Sequence, residues 1–188
     1  MTQEVEIEFK NLLTKNEFNR LLNELPFPSS SETQTNYYFE TKDLALKAHK
    51  SALRIREKND TYTLTLKEPR EVGLLETHEA LTRQEAKEMI ENQPVFKKEI
   101  DQQLLRKNIS FEDLIYYGSL KTERREIRYQ GVLLVLDYSI YNGKTDYELE
   151  LEATSEEAGR KVFEDLLEKH NIPRRRTPNK IKRLFSTF

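Results

Sequence analysis

Residues 4–10 read Glu4-Val5-Glu6-Ile7-Glu8-Phe9-Lys10, an alternation of carboxylates and apolar side chains that ends on a lysine. A strand turns successive side chains to opposite faces. Val5, Ile7 and Phe9 therefore share one face, and Glu4, Glu6, Glu8 and Lys10 share the other. Same-face neighbours lie roughly 6.5–7 Å apart, close enough for carboxylates to repel unless a cation sits between them. The pattern returns late in the chain as Glu148-Leu149-Glu150-Leu151-Glu152. Two acidic strands facing one space would hold a hard divalent metal through oxygen ligands.

The strands between them carry the opposite charge. Arg54 and Arg56 alternate with Leu53 and Ile55, and Thr63, Thr65 and Lys67 alternate with Tyr62, Leu64 and Leu66. Asn59-Asp60 joins the two runs with turn chemistry, so Ser51–Lys58 and Thr61–Lys67 read as a hairpin closed by Pro69. Asn36–Thr41 and Val72–Glu79 read as further strands. Leu120–Tyr129, Val132–Tyr138 and Thr145–Ala153 read as a meander turning near Gly131 and Gly143, with Thr122, Arg124, Glu126 and Arg128 on one face. Helices are expected in four places. One follows a capping box at Thr14 and Glu17 and ends at Pro26 and Pro28, with Leu12, Phe18, Leu21, Leu22 and Leu25 at helical spacing. A short patch spans 44–49, a broken helical stretch runs from Thr82 to about Tyr117, and an amphipathic helix covers Ser155–His170. A basic tail after Pro173 leads into a final helical turn.

Leu, Ile, Val and Tyr on the opposite strand faces need cover, which the helices can supply. The fold class implied is α+β, a closed barrel packed outside by helices and charged inside. A length of 188 residues fits a single domain over 1–188. The near-balance of charge, a formal −2, argues against a uniformly basic nucleic-acid binder. Without cysteine there is no disulfide and no thiolate metal site. The five glycines form no phosphate-binding loop, and His49, His78 and His170 show no metal-ligand spacing, so zinc is not expected. MTQEVEIEFK is no secretory signal, and the longest apolar run, Val132–Leu136, is too short to span a bilayer. A soluble cytoplasmic protein is expected.

Taken one at a time, these motifs are ordinary half-exposed strands; taken in order, they resemble a known family. Glu6-x-Glu8-x-Lys10 is similar to the ExExK signature of the CYTH superfamily, the triphosphate tunnel metalloenzymes. Leu53-Arg54-Ile55-Arg56, then Leu64-Thr65-Leu66-Lys67 with Pro69, resembles its LRIR…LTLKxP hairpin, and Tyr38-Phe39-Glu40-Thr41 its YFDT segment. Arg124, Asp137 and Glu148-Leu149-Glu150 fall where its later Arg, Asp and ExE strands fall. The chain looks most like the small stand-alone bacterial members. Two positions depart. The RxExE strand is represented by Leu74-Leu75-Glu76-Thr77-His78, with one acid, and KxR reads Thr122-x-Arg124.

The resemblance implies an eight-stranded antiparallel closed β-barrel, a tunnel, that hydrolyses a small triphosphate, with inorganic tripolyphosphate first and nucleoside or thiamine triphosphate next. Lys10, Arg54, Arg56, Lys67 and Arg124 would clamp phosphate oxygens, together with Lys180 and Arg183. Glu6, Glu8, Glu148 and Glu150 would hold Mg²⁺ or Mn²⁺, with Glu76 and Asp137 as further ligands. Glu6, Glu8, Lys10, Glu148 and Glu150 form the expected catalytic set. The alternatives are cyclisation of ATP, as in class IV adenylate cyclases, and polyphosphate or nucleotide binding without turnover. No membrane partner is expected, and the absence of an aromatic platform beside the basic run argues against nucleic acid.

Overall fold

The computed structural model describes all residues, Met1–Phe188. The chain runs β1 (Thr2–Leu13), α1 (Lys15–Glu24), β2 (Glu32–Thr41), α2 (Ala45–Ala48), β3 (Ala52–Lys58), β4 (Thr61–Pro69), β5 (Leu74–Leu81), α3 (Arg83–Ile90) and α4 (Lys98–Leu105). A 3-10 turn (Phe111–Asp113) precedes β6 (Leu114–Tyr129), β7 (Val132–Tyr141), β8 (Lys144–Ala153), α5 (Glu156–Lys169) and α6 (Lys180–Phe185). The strands close into an antiparallel barrel in the order β1-β5-β4-β3-β2-β6-β7-β8, which leaves no sheet edge open. No helix is long and apolar enough to cross a membrane.

Two compact units make up the chain, Met1–Val5 with Gln34–Leu120, and Glu6–Thr33 with Lys121–Phe188. In the first, Leu53, Ile55, Leu64 and Leu66 form a buried apolar layer covered by Ala86 and Met89 of α3 and Ile100 and Leu104 of α4. In the second, Leu134, Leu136, Leu149 and Leu151 are covered by Phe18 and Leu21 of α1 and Phe163, Leu166 and Leu167 of α5. In each unit the apolar side of the alternation faces helices, which leaves the charged side for the opposite strand face.

The hairpin turns follow from local chemistry. Asn59 and Asp60 take φ of 50° and 57°, and Gln130-Gly131 and Asn142-Gly143 are likewise left-handed at both positions. Such pairs match the right-handed twist of two-residue hairpins. Helix α1 opens with the expected capping box, in which Thr14 accepts from Glu17 N–H and Glu17 accepts from Thr14 N–H. The same device at Thr82 and Glu85 opens α3.

Several boundaries differ from the sequence reading; β2 starts at Glu32 instead of Asn36, and β7 runs to Tyr141 instead of Tyr138. β1 continues to Leu13, so Leu12 belongs to a strand and not to the α1 stripe. β5 starts at Leu74 instead of Val72. The stretch Leu114–Tyr117, expected to be helical, opens β6. There the aromatic ring of Tyr116 packs against Tyr37 and Phe39, at centroid distances of 6.2 and 6.0 Å, so tertiary packing decides a short ambiguous run.

Candidate functional site

Register places the charged residues of the second unit in cross-strand rows. Asp137 stands opposite both Arg124 and Glu148, Glu150 opposite Lys10, and Glu152 opposite Glu8. Directly opposed side chains lie about 4.5–5.5 Å apart, so each row is one interacting group. Arg124 grips Asp137 with two bonds, Nε to Oδ1 at 2.8 Å and Nη2 to Oδ2 at 2.6 Å, and donates from Nη2 to Glu150 Oε2 at 3.0 Å. Lys180 of α6 joins from the tail. Its ammonium lies 2.9 Å from Asp137 Oδ2 and 3.1 Å from Glu148 Oε2, and it also donates to Glu150 Oε1. Arg183 Nη2 donates to Glu148 Oε2 at 2.5 Å. Lys10 donates to Glu8 at 2.7 Å.

The tail is held in place by polar contacts that are not evident in the motifs. The buried Asn11 accepts from Arg175 N–H at 2.7 Å and donates to Pro173 O at 3.0 Å. Thr177 Oγ1 accepts from Leu12 N–H, and the Arg175 guanidinium reaches Leu12 O and both oxygens of Glu17. Burial would push the Glu17 carboxyl up, but hydrogen bonds from Arg175 and Thr14 outweigh it and hold it below the usual range. These bonds fix where α6 begins, and so where Lys180 and Arg183 meet the carboxylates.

Alike in sequence, the three glutamates of β8 differ in electrostatics. Burial pushes Glu148 up, and the neighbouring charge of Glu150 on the same strand adds to it against Lys180 and Arg183, leaving it raised. Glu150 is buried too, but Lys180, Arg124 and Lys10 together bring it well below the carboxylate range. Glu152 is pushed up to about 7 by burial and by the nearby carboxylate of Glu6, with Arg124 opposing. Arg124, Lys180 and Arg183 are all raised, because their carboxylate partners outweigh the burial that would lower them.

These residues fit a divalent cation. Asp137, Glu148 and Glu150 are almost wholly buried and supply only hard oxygen ligands. Glu148 Oε1 is buried with no hydrogen-bond partner, an unmet acceptor within the group. Nη1 of Arg183 is a buried donor in the same condition, available to an anion, while its Nε lies 3.4 Å from Asp146 Oδ2.

On the first unit, β3, β4 and β5 present the remaining predicted bases. Tyr38, Arg54, Thr65 and His78 form one cross-strand row, and Asn36, Arg56 and Thr63 the next. Arg54 Nε is buried without a hydrogen-bond partner, whereas Arg56 Nε donates to Asn36 Oδ1 at 3.1 Å. Lys67 stands opposite Glu76 and is ion-paired with it. Glu76 thus belongs to this unit's charged face, beside His78. His78 lies within 3.1 Å of Glu4, a proximity that sequence spacing could not reveal, since Glu4 and His78 are far apart in the chain.

Of the predicted residues, the structure brings Arg124, Asp137, Glu148, Glu150, Lys180 and Arg183 into one network, with Lys10 and Glu8 in the adjoining rows. Glu6 is on β1 close enough to raise Glu152. Lys10, Lys67 and Arg124 do not sit as an uncompensated basic set, because each lies against a carboxylate, so base–base repulsion is not the dominant feature. Glu40 of the Tyr38-Phe39-Glu40-Thr41 segment proves structural. Its buried carboxylate accepts from the backbone N–H of Thr41, Leu46 and Lys47 and so anchors α2.

Comparison with known proteins agrees with this architecture. A Bacillus subtilis protein named "Putative triphosphatase YjbK" is 46% identical over 186 residues, 98% of this chain and 96% of its own length. The crystal structure of a "putative adenylate cyclase" from Bacillus halodurans superposes with a TM-score of 0.94 at 43% identity, covering 98% of this chain and all of that one. The "putative adenylyl cyclase HpAC1" of Hippeastrum, described as revealing a dominant triphosphatase activity, superposes at 0.81 with 26% identity, covering 97% and 96% of the two chains. With the CYTH domain model matching residues 4–185, the chain belongs to the CYTH domain family.

Proposed function

We propose that this protein is a metal-dependent triphosphatase that hydrolyses a small triphosphate, with inorganic tripolyphosphate as the leading substrate. The observation that carries the reading is the buried group Asp137–Glu148–Glu150 interlocked with Arg124, Lys180 and Arg183, which supplies metal-type oxygens and phosphate-type donors at one place. The names borne by the Bacillus subtilis and Hippeastrum relatives support the same chemistry.

Glu6, Glu8, Glu148 and Glu150 would hold Mg²⁺ or Mn²⁺, with Asp137 as a further ligand. When bound, the ion supplies charge neutralisation on the phosphate oxygens and orientation of an attacking water. Lys10, Arg54, Arg56, Lys67 and Arg124 bind phosphate oxygens, and the orphaned donors of Arg54 and Arg183 are satisfied by the anion. Lys180, which sits among three carboxylates, exchanges part of that contact for phosphate. No covalent nucleophile is required, because the leaving group is a phosphate and positioning with charge stabilisation suffices.

Cyclisation of ATP is the second reading, favoured by the description of the Bacillus halodurans structure. A product assay separates the two. Tripolyphosphate, ATP, GTP and thiamine triphosphate are each supplied with Mg²⁺ or Mn²⁺, and phosphate, pyrophosphate and cyclic AMP are measured. Phosphate release from tripolyphosphate is expected. The double variant Glu148→Gln/Glu150→Gln should lose it while remaining folded by circular dichroism. Wild-type turnover in that variant would remove both residues from the metal site, and cyclic AMP with pyrophosphate from wild type would replace hydrolysis by cyclisation.

A further inference from the structure

The charged face of the first unit carries one group that phosphate binding does not explain. Glu76 and His78 are two residues apart on β5 and so share a face. Glu4 of β1 comes beside them. His78 Nε2 lies 3.1 Å from Glu4 Oε1 and 3.5 Å from Glu76 Oε2, and the three ligand atoms all fall within 4.8 Å of one another. Two ligand atoms bound to one ion at about 2.1 Å, at octahedral or tetrahedral angles, stand about 3.0–3.4 Å apart. Both imidazole–carboxylate spacings are close to that requirement. The third closes by rotation of Glu4, whose side chain is 66% exposed.

The opposite edge of the imidazole is held in place. Nδ1 lies 2.8 Å from Oγ1 of the buried Thr65, the residue that faces His78 in the ladder. That contact holds the ring so that Nε2 is the nitrogen turned toward the two carboxylates. Metal-binding histidines are oriented in this way by a hydrogen bond on the far nitrogen. The Glu76 carboxylate is divided accordingly, with Oε1 on Lys67 and Oε2 toward the imidazole.

We propose that Glu4, Glu76 and His78 form a binding site for a first-row transition-metal ion, Mn²⁺, Co²⁺ or Zn²⁺, with Thr65 as the positioning residue. Its nitrogen ligand separates it chemically from the all-oxygen Asp137–Glu148–Glu150 group. Mg²⁺ takes oxygen ligands and keeps its waters, whereas imidazole suits the later first-row ions. The consequence is a preference of this chain for a transition metal over Mg²⁺. That consequence deepens the proposed hydrolytic chemistry and rests on it, while the binding itself does not.

The test uses metal alone on chelator-stripped full-length protein. Electron spin-echo spectroscopy of bound Mn²⁺ should show coupling to an imidazole nitrogen in wild type. The coupling should vanish in His78→Gln and persist in Glu148→Gln/Glu150→Gln. Titration calorimetry with Co²⁺ should show about 10- to 100-fold weaker binding in Thr65→Val, the usual effect of losing an outer-shell anchor. A wild-type protein without nitrogen coupling, or a coupling that survives in His78→Gln, overturns the site. Phosphate release is measured separately, so nitrogen ligation without hydrolysis would sink the functional reading and leave the metal site standing.

Discussion

Arg54 and Glu152 show how little a side chain's identity says before its neighbours are known. Arg54 holds a buried Nε with no protein acceptor, so it contributes little to the fold and is available to an anion. Arg54→Ala should therefore leave the melting temperature nearly unchanged. Tripolyphosphate binding should weaken by about 1.5–3 kcal/mol, the scale of a hydrogen bond to a charged group, measured by titration calorimetry. Glu152 bears the opposite kind of cost. Its carboxyl titrates near 7, against about 4.3 in an unfolded chain. Between those values the folded protein keeps a proton that the unfolded chain has released, so this residue's contribution to stability falls as pH rises through the window. Glu152→Gln should accordingly raise the melting temperature more at pH 8 than at pH 5. An equal shift at both values would mean that the carboxylate is not strained by its neighbours.

At the scale of elements, helix α5 lies against β1 and β8 at a distance that only a glycine allows. A Cβ on Gly159 would come within 2.6 Å of Ala153 Cβ and 2.9 Å of the Phe9 ring. Helix propensity by itself predicts that Gly159→Ala stabilises α5 by about 1 kcal/mol. Here the clash with a short side chain on β8 cannot be relieved by a rotamer change, and overpacking of this kind costs about 1–3 kcal/mol. The variant is expected to be destabilised in urea unfolding, and a gain in stability would show that α5 can lift from the sheet at no cost. The same tight seat places β8, with Glu148, Glu150 and Glu152, between the α5 layer on one face and the polar network on the other.

For the whole molecule, the relevant balance is between charged side chains that satisfy one another and those that await a ligand. Since Lys10, Lys67 and Arg124 are already paired with acids, a polyanion does not act by relieving repulsion among bases. On the proposed reading it acts by mass action on the folded state. Ligand at about a hundred times its dissociation constant adds roughly 2.7 kcal/mol. For a chain of this length that corresponds to a rise of roughly 5–10 °C. Tripolyphosphate with Mg²⁺ should reach it, and sulfate at matched ionic strength should not. Equal shifts with the two anions would identify the effect as general salt and not as a site.

The alternations Glu4–Lys10, Leu53–Lys67 and Glu148–Glu152 determined by themselves that the strands have one apolar and one charged face, because a period of two leaves no other arrangement. The turn pairs at 59–60, 130–131 and 142–143 and the capping box at Thr14 were equally local, and so were readable. Which charges meet was not local. Arg124 and Lys180 share the carboxylates of β7 and β8 only because register aligns Asp137 with Glu148 and because Asn11, Arg175 and Thr177 pin the tail. Likewise His78 has no ligand spacing along the chain, and becomes a neighbour of Glu4 and Glu76 only in the folded protein. Strand pairing joins residues distant in sequence at a separation set by the ladder, so the partners of a charge, and with them its ionisation and its chemistry, are properties of the tertiary structure.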